Sequence, residues 1–125
     1  MGRFLGAVLL LGSLALLGCA RSGSPAQSPA ARYQNDPAAL KRGRLLFTGT
    51  CGAYCHPTRP ANRDAPYLFD CSWKHGGSDR EIFASISKGI PGTRMPAWQG
   101  KLPKGDEDIW KVIAYLRAQR SCAAQ

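Results

Sequence analysis

Acidic residues, histidines and methionines are all scarce in this chain of 125 residues. Eight Asp and Glu side chains stand against 17 Lys and Arg, and there are two histidines and two methionines, one of which is the initiator. The sequence has no internal repeat and no stretch with the period-2 alternation of a half-buried strand. Its few carboxylates and histidines form no acid–base or nucleophile pattern. An enzyme built on such a pattern is therefore not expected.

Long apolar runs are also absent. Residues 4–17 form a run of 14 apolar or small residues, which is short of the ~20 residues that a membrane-spanning helix needs. It follows the charged Arg3, and this order is typical of a signal peptide, assigned here to residues 1–18. The run ends in Leu-Leu-Gly before Cys19 and resembles the lipobox of bacterial lipoproteins, in which that cysteine is acylated. A signal peptide cleaved elsewhere, or an uncleaved anchor, is the alternative.

One of the two histidines directly follows a cysteine. Cys51, Cys55 and His56 form the pattern Cys-x-x-x-Cys-His. The pattern Cys-x-x-Cys-His is that of c-type haem attachment, in which two thiols bond the haem and the histidine binds the iron. The spacing in this chain is one residue longer. Because Gly52 tolerates a positive φ, we expect a one-residue bulge there that keeps Cys51 within reach, while the Cys55–His56 step is unchanged.

Met95 is the candidate for the second iron ligand. It lies in the segment Gly-Thr-Arg-Met-Pro-Ala-Trp, a Gly/Pro-rich loop and not a helical stripe, so packing alone explains it poorly. A His–Met pair raises the potential of a haem. We therefore predict that His56 and Met95 fill both axial positions of the iron, which suits electron transfer. Trp73 and Trp98 are expected to pack against the haem and to donate hydrogen bonds from their indole N–H groups to its propionates. Simple packing in the core is the alternative.

The chain divides into three parts. After the leader, residues 19–35 are rich in Ser, Ala, Pro and Gln and lack apolar periodicity, which predicts a lipidated cysteine followed by a flexible tether. Residues 36–125 form the domain, and a domain of this size buries a limited core unaided. A haem among its apolar side chains would supply much of the missing core.

Three helices are predicted within the domain. The first begins at Asp36, an N-cap followed by proline, and ends near Gly49. The second begins with a capping box at Ser78 and stops at Gly89. The third is capped by Asp106 and carries a helical apolar stripe at Ile109, Ile113 and Leu116. The order is helix, haem motif, loop, helix, methionine loop and helix.

In this order the segments resemble a class I c-type cytochrome over about residues 36–120. Gly43 and Phe47 fall where that family has a glycine and an aromatic residue on its first helix, the glycine allowing the last helix to cross closely. Pro66 and Leu68 resemble the Pro-x-Leu segment, whose proline carbonyl accepts a hydrogen bond from the ligand histidine. The segment that begins at Met95 resembles the axial methionine loop.

The resemblance implies an all-α fold, a small cytochrome c of three main helices around one covalently bound haem c. It implies an electron carrier and not an enzyme. The resemblance and the motifs described above suggest eight cofactor-binding residues: Cys51, Cys55, His56, Pro66, Leu68, Trp73, Met95 and Trp98. Of these, His56 and Met95 are the expected metal ligands.

Cys71 and Cys122 remain. Disulfides persist in exported proteins, so a Cys71–Cys122 disulfide is the simplest way to divide the cysteines between haem attachment and disulfide bonding. In a second partition Cys51 pairs with Cys71 or Cys122 and the haem is held through Cys55 alone. In a third, Cys51, Cys55, Cys71 and His75 form a Cys₃His zinc site.

The expected protein is a monomeric cytochrome on the periplasmic side of a bacterial membrane, held by lipid at Cys19. Ala20 after that cysteine weakly favours the outer membrane. The net charge of +9 favours acidic docking faces on its redox partners, a dehydrogenase or a terminal oxidase, and export makes nucleic acid an unsuitable partner. The alternatives are a gas-binding haem protein with a weak Met95, and a zinc-stabilised exported lipoprotein.

Overall fold

The computed structural model describes residues 27–122, which contain three main helices. They are α1 (Pro37–Leu46), α2 (Asp79–Lys88) and α3 (Asp106–Ala118). A π-helix, Phe47–Cys51, and a single turn, Gly52–Tyr54, continue α1 into the cysteine motif. No strand occurs between residues 27 and 122. No helix in this range has the length and apolar character needed to cross a membrane.

Local sequence explains where α1 and α2 begin. The Asp36 carboxylate accepts hydrogen bonds from the backbone N–H groups of Ala38 and Ala39, at 2.9 and 3.2 Å. Ser78 and Glu81 form the reciprocal capping box, with the Ser78 N–H donating to the Glu81 carboxylate at 2.9 Å. These contacts satisfy backbone donors that the first turn of a helix leaves free.

The start of α3 differs from the prediction. Asp106 is the first helical residue and not the cap, because the chain enters the helix through Gly105 at φ 54°. The three acidic side chains of the first turn, Asp106, Glu107 and Asp108, lie instead at the positive end of the helix dipole, where negative charge is favourable.

The main helix–helix contact joins α1 to α3. A Cβ atom at Gly43 would lie 2.0 Å from the Lys111 carbonyl oxygen, so the two backbones approach within a distance that no other residue permits. Around this crossing lie Phe47, Ile109 and Ile113, all at most 1 % exposed. The close crossing expected for Gly43 is present.

An ion pair also joins these helices. The Arg42 guanidinium donates twice to the Asp108 carboxylate, at 2.9 and 2.8 Å, and the Lys104 backbone N–H donates to it at 3.0 Å. Asp108 is fully buried. The hydrogen bonds from Arg42 hold the pKa of this carboxyl below its usual value. Because a buried carboxylate without partners is costly, this pair favours the observed registry of the two helices.

The N-terminal described segment packs on the domain. Pro29–Tyr33 forms a 3₁₀ helix against α3, with Ala30 fully buried, and the Ser28 hydroxyl contacts Asp79. Residues 27–35 were expected to belong to a flexible tether, but a small side chain at Ala30 allows this segment to dock. The leader assigned to residues 1–18, Cys19 and the rest of the predicted tether lie outside the described residues.

We predict that Gly43→Ala destabilises the fold by about 2 kcal/mol or more, because the new methyl group forces α1 and α3 apart. Gly49→Ala is the matched control, since a Cβ there meets no atom within 4 Å. Urea unfolding of both variants measures the difference. Equal stabilities would show that the close crossing contributes nothing.

Candidate functional site

The imidazole of His56 is buried and oriented. Its exposed fraction is 8 %, and Nδ1 lies 2.9 Å from the Pro66 carbonyl oxygen. A carbonyl only accepts, so Nδ1 carries the proton and donates. Nε2 then keeps its lone pair free to bind a metal. Metal-binding histidines are commonly oriented in this way, by a hydrogen bond from the ring nitrogen that does not bind the metal. This is the hydrogen bond that the cytochrome resemblance implies for Pro66.

Two adjoining cavities, each of about 410 Å³, lie beside this imidazole. Cys55, His56 and Met95 line both of them. The first cavity also carries Pro66, Leu68 and Trp73, and the second carries Cys51 and Trp98. The structure therefore brings all eight expected cofactor-binding residues to one cleft.

Apolar residues of the helices complete the cleft. Ile82 and Ile86 of α2 and Leu116 of α3 line the first cavity, and His75 lies on its wall. The sequence places the two isoleucines and the leucine on apolar stripes without indicating that they face a cofactor. Periodicity reveals a buried face of a helix, but it does not distinguish packing against a helix from packing against a bound group.

Backbone contacts hold the methionine loop against the end of α2. The Ile90 N–H donates to the Met95 carbonyl at 3.1 Å, and the Trp98 N–H donates to the Ile86 carbonyl at 3.0 Å. Gly89, at φ 70°, ends α2 where a Cβ would come within 2.7 Å of the Met95 carbonyl oxygen. The position of Met95 is thus determined by main-chain packing and does not depend on its own side chain.

Trp73 carries a polar group without a partner. Its Nε1 is buried and has no hydrogen-bond acceptor within residues 27–122. The ring is fixed by the Arg117 guanidinium, 5.8 Å from its centroid, and by the close approach of Gly77. An unsatisfied buried donor costs ~1–3 kcal/mol. An acceptor such as a haem propionate in the cleft would satisfy it, so the residues present fit this group.

Cys71 and Cys122 are paired in the structure, with Cα atoms 6.2 Å apart. The pair connects the loop that carries Trp73 to the chain after α3, and the Ser121 N–H donates to the Phe69 carbonyl beside it at 2.8 Å. Cys51 and Cys55 are free thiols. Within the described part of the chain, no three His, Cys, Asp or Glu side chains converge as a metal-binding group, so the Cys₃His zinc set is not assembled.

The extra residue of the cysteine motif is accommodated differently from the expectation. Gly52 is helical, with φ −76° and ψ −30°, and does not use the positive φ open to glycine. The extra residue is taken up in π-type turns at Phe47–Gly52 and Cys51–His56, and not through a positive φ at Gly52. Burial and hydrogen bonding at Phe47 and His56 hold both ends of this segment.

Comparison with known proteins agrees with this geometry. Residues 38–116 match the family model described as cytochrome C oxidase, cbb3-type, subunit III. The chain belongs to this family of c-type cytochromes. The all-α cytochrome c fold is confirmed, and the family carries one covalently bound haem c, as predicted. Electron transfer of the cytochrome c type is the function that the family supports.

Individual relatives match parts of this cytochrome. It is 32% identical over 89 residues to the cbb3-type cytochrome c oxidase subunit CcoP of Rubrivivax gelatinosus, covering 70% of this chain and 28% of that protein. It resembles the crystal structure of cytochrome CL from Methylophaga aminisulfidivorans MPT, with TM-score 0.60, 25% identity and coverage of 69% and 58% of the two chains.

The c-type cytochrome NirC is similar as well, with TM-score 0.50 and 27% identity over 65% of this chain and 91% of that one. The cytochrome thus spans about 28% of the curated relative that it matches. The similarity shows the family and the fold.

We predict that Trp73→Phe lowers the reduction potential of the haem-loaded protein. The substitution keeps a ring in place but removes the buried donor, so the negative charge of a propionate is less compensated and the oxidised iron is favoured. Spectroelectrochemical titration measures the potential. Trp110→Phe is the matched control, because Trp110 stacks on Phe83 and lines neither cavity. Equal potentials for the Trp73 variant and the wild type would contradict a donor role.

Proposed function

We propose that this cytochrome is a lipid-anchored periplasmic electron carrier whose single haem iron is held between His56 and Met95. The observation that carries the proposal is the orientation of the buried His56 ring by Pro66 within a cleft that Met95 also lines. When bound, the haem supplies a one-electron redox couple. The disulfide between Cys71 and Cys122 belongs to the same proposal, supported by their pairing.

The role of each residue in the cleft follows from its surroundings. His56 would hold a haem iron through Nε2, with Pro66 fixing the ring. A thioether ligand from Met95 would favour the reduced iron and so raise the potential. The apolar side chains of Leu68, Ile82 and Ile86 line the cleft, and a site of low polarity disfavours the additional positive charge of the oxidised state. Both effects suit a carrier of moderately high potential.

Electrons would pass through the open rim of the cleft. Tyr54, 82 % exposed, and Arg94 both line the second cavity. The Arg94 guanidinium pairs with Asp64 at 2.6 Å, but both side chains are more than three quarters exposed, and such a pair contributes little stability. An acidic partner surface can compete for Arg94. Removal of residues 1–18 takes away Arg3 and lowers the net charge from +9 to +8, so encounters with such a partner would be electrostatically steered.

The partner best supported is a terminal oxidase. The matched family and the Rubrivivax relative are both named as parts of a cbb3-type cytochrome c oxidase. A dehydrogenase that supplies the electrons would complete the chain of transfer. Redox encounters of this kind use small, weak interfaces, which agrees with a monomeric carrier.

Membrane attachment is proposed through Cys19, after removal of residues 1–18. Because Ser28 and the 3₁₀ helix Pro29–Tyr33 contact the domain, only residues 20–27 separate the proposed anchor from the docked segment. A chain of that length spans at most roughly 30 Å. The domain would therefore work close to the membrane surface, where a membrane-bound oxidase is accessible.

We expect the reduced wild-type protein to show a c-type α-band and not to bind carbon monoxide. Met95→Ala is expected to bind it readily and to have a lower potential, because the sixth iron position is then open. Gln99→Ala, in the same loop but outside both cavities, serves as the control and should behave as wild type. Rapid carbon monoxide binding by the wild type would favour the gas-binding alternative, and a colourless exported protein would overturn the proposed function.

The anchor is tested separately. Cys19→Ser should move the protein from the membrane fraction to the soluble periplasmic fraction with its haem retained, because the acylated residue is lost. Ser24→Ala, altered in the same segment, should remain in the membrane fraction. Retention of the Cys19 variant in the membrane would indicate an uncleaved apolar anchor.

A further inference from the structure

Two turns that are wider than those of an α-helix overlap the cysteine motif. The Gly52 N–H donates to the Phe47 carbonyl, five residues earlier. The His56 N–H donates to the Cys51 carbonyl at 2.9 Å, again five residues earlier. An α-helical turn joins residues four apart, so each of these π-type turns contains one residue more. Such single-turn insertions occur frequently at functional sites.

Both ends of this segment are held by the rest of the fold. Phe47 is 1 % exposed, with its ring edge-on to Phe69 at 5.4 Å. His56 is held by the Pro66 carbonyl. The chain between Phe47 and His56 therefore has to accommodate its extra residue without moving either end, and the wider turns achieve this.

The side chains within the segment agree with this arrangement. A Cβ at Gly52 would lie 3.3 Å from the Phe47 carbonyl oxygen and 3.4 Å from Thr58 Cγ2, so a methyl group at this position would be in close contact with both. The bulky Tyr54 points outward and is 82 % exposed. The additional residue is thus added on the solvent side, away from the core.

The same turn places the two thiols together. The Cys55 N–H donates to the Cys51 carbonyl at 3.1 Å, which is the four-residue contact of a helical turn. Residues four apart on a helix lie on one face, as residues three apart do, with Cβ atoms ~5–6 Å apart. Cys51 and Cys55 both line the second cavity, next to His56 and Met95. The longer spacing therefore keeps both thiols at the cleft.

We propose that the π-type turn closed by His56 is the positioning element that lets both Cys51 and Cys55 reach the haem at the four-residue spacing. The inference rests on the proposed function. Each thiol adds across one vinyl group: an Sγ–C bond forms at one vinyl carbon, the thiol hydrogen passes to the other, and the C=C bond becomes single. No oxidant or reductant is needed for the balance.

Mass spectrometry of the haem-loaded protein tests the proposal. Tryptic cleavage after Arg44 and Arg63 releases residues 45–63, which contain both thiols. After alkylation under denaturing conditions, we expect this peptide to carry one haem and no alkylated cysteine. The pyridine haemochrome should show both vinyl groups saturated. A haem-bearing peptide with an alkylated Cys51, or a haem removed by acidic acetone, would overturn the proposal.

Variants separate the turn from the thiols. Cys51→Ser and Cys55→Ser should each leave one vinyl group unsaturated. Deletion of Ala53 converts the five-residue contact between Cys51 and His56 into a four-residue one, and both thioethers should persist. Leu45→Ala, exposed and outside both cavities, is the control and should match the wild type. If the deletion creates a thioether that the wild type lacks, the π-type turn does not position Cys51.

The failures of the two proposals look different. A coloured protein with one thioether would refute the role of the turn and leave the electron carrier intact. A colourless protein after correct export would refute both.

Discussion

The hydrogen bond from Nδ1 of His56 to the carbonyl of Pro66 is the contact on which the rest of the site depends. It sets the tautomer of a buried imidazole and directs the other ring nitrogen into the cleft. It also joins the cysteine motif to the proline-containing loop that follows. Because this bond holds one end of the motif, the extra residue between the cysteines must be accommodated by the chain before His56 and not by the chain after it.

The other walls of the cleft are attached to the helices in a similar way. The close crossing at Gly43 and the buried Arg42–Asp108 pair hold α1 against α3 and so fix Phe47, where the π-helix that leads into the motif begins. The methionine loop is bonded to the end of α2 through its backbone. The Trp73 loop is connected to the chain end by the paired Cys71 and Cys122. A cleft held by main-chain contacts reorganises little, and preorganised surroundings suit a redox centre whose charge changes by one unit.

Much of this arrangement could be predicted from the sequence because the signals are local. The caps at Asp36 and Ser78 determine two helix starts through contacts within three residues. The adjacency of Cys55 and His56 indicates the haem chemistry. Met95 is identifiable because it lies in a Gly/Pro-rich loop, away from any apolar stripe. The family resemblance adds Pro66 and Leu68, whose order along the chain is itself a sequence property.

Other features depend on contacts between distant segments, which a local pattern does not encode. The docking of Ala30 on α3 arises from tertiary packing. The unpartnered Trp73 donor is apparent only once the ring is buried against Arg117. The sequence by itself determined which residues are candidates for binding the haem and in what order they occur. The tertiary structure decided how a motif one residue too long fits its site. Phe47 is held by Phe69 and Tyr115 and His56 by Pro66, so the helix between them has to widen.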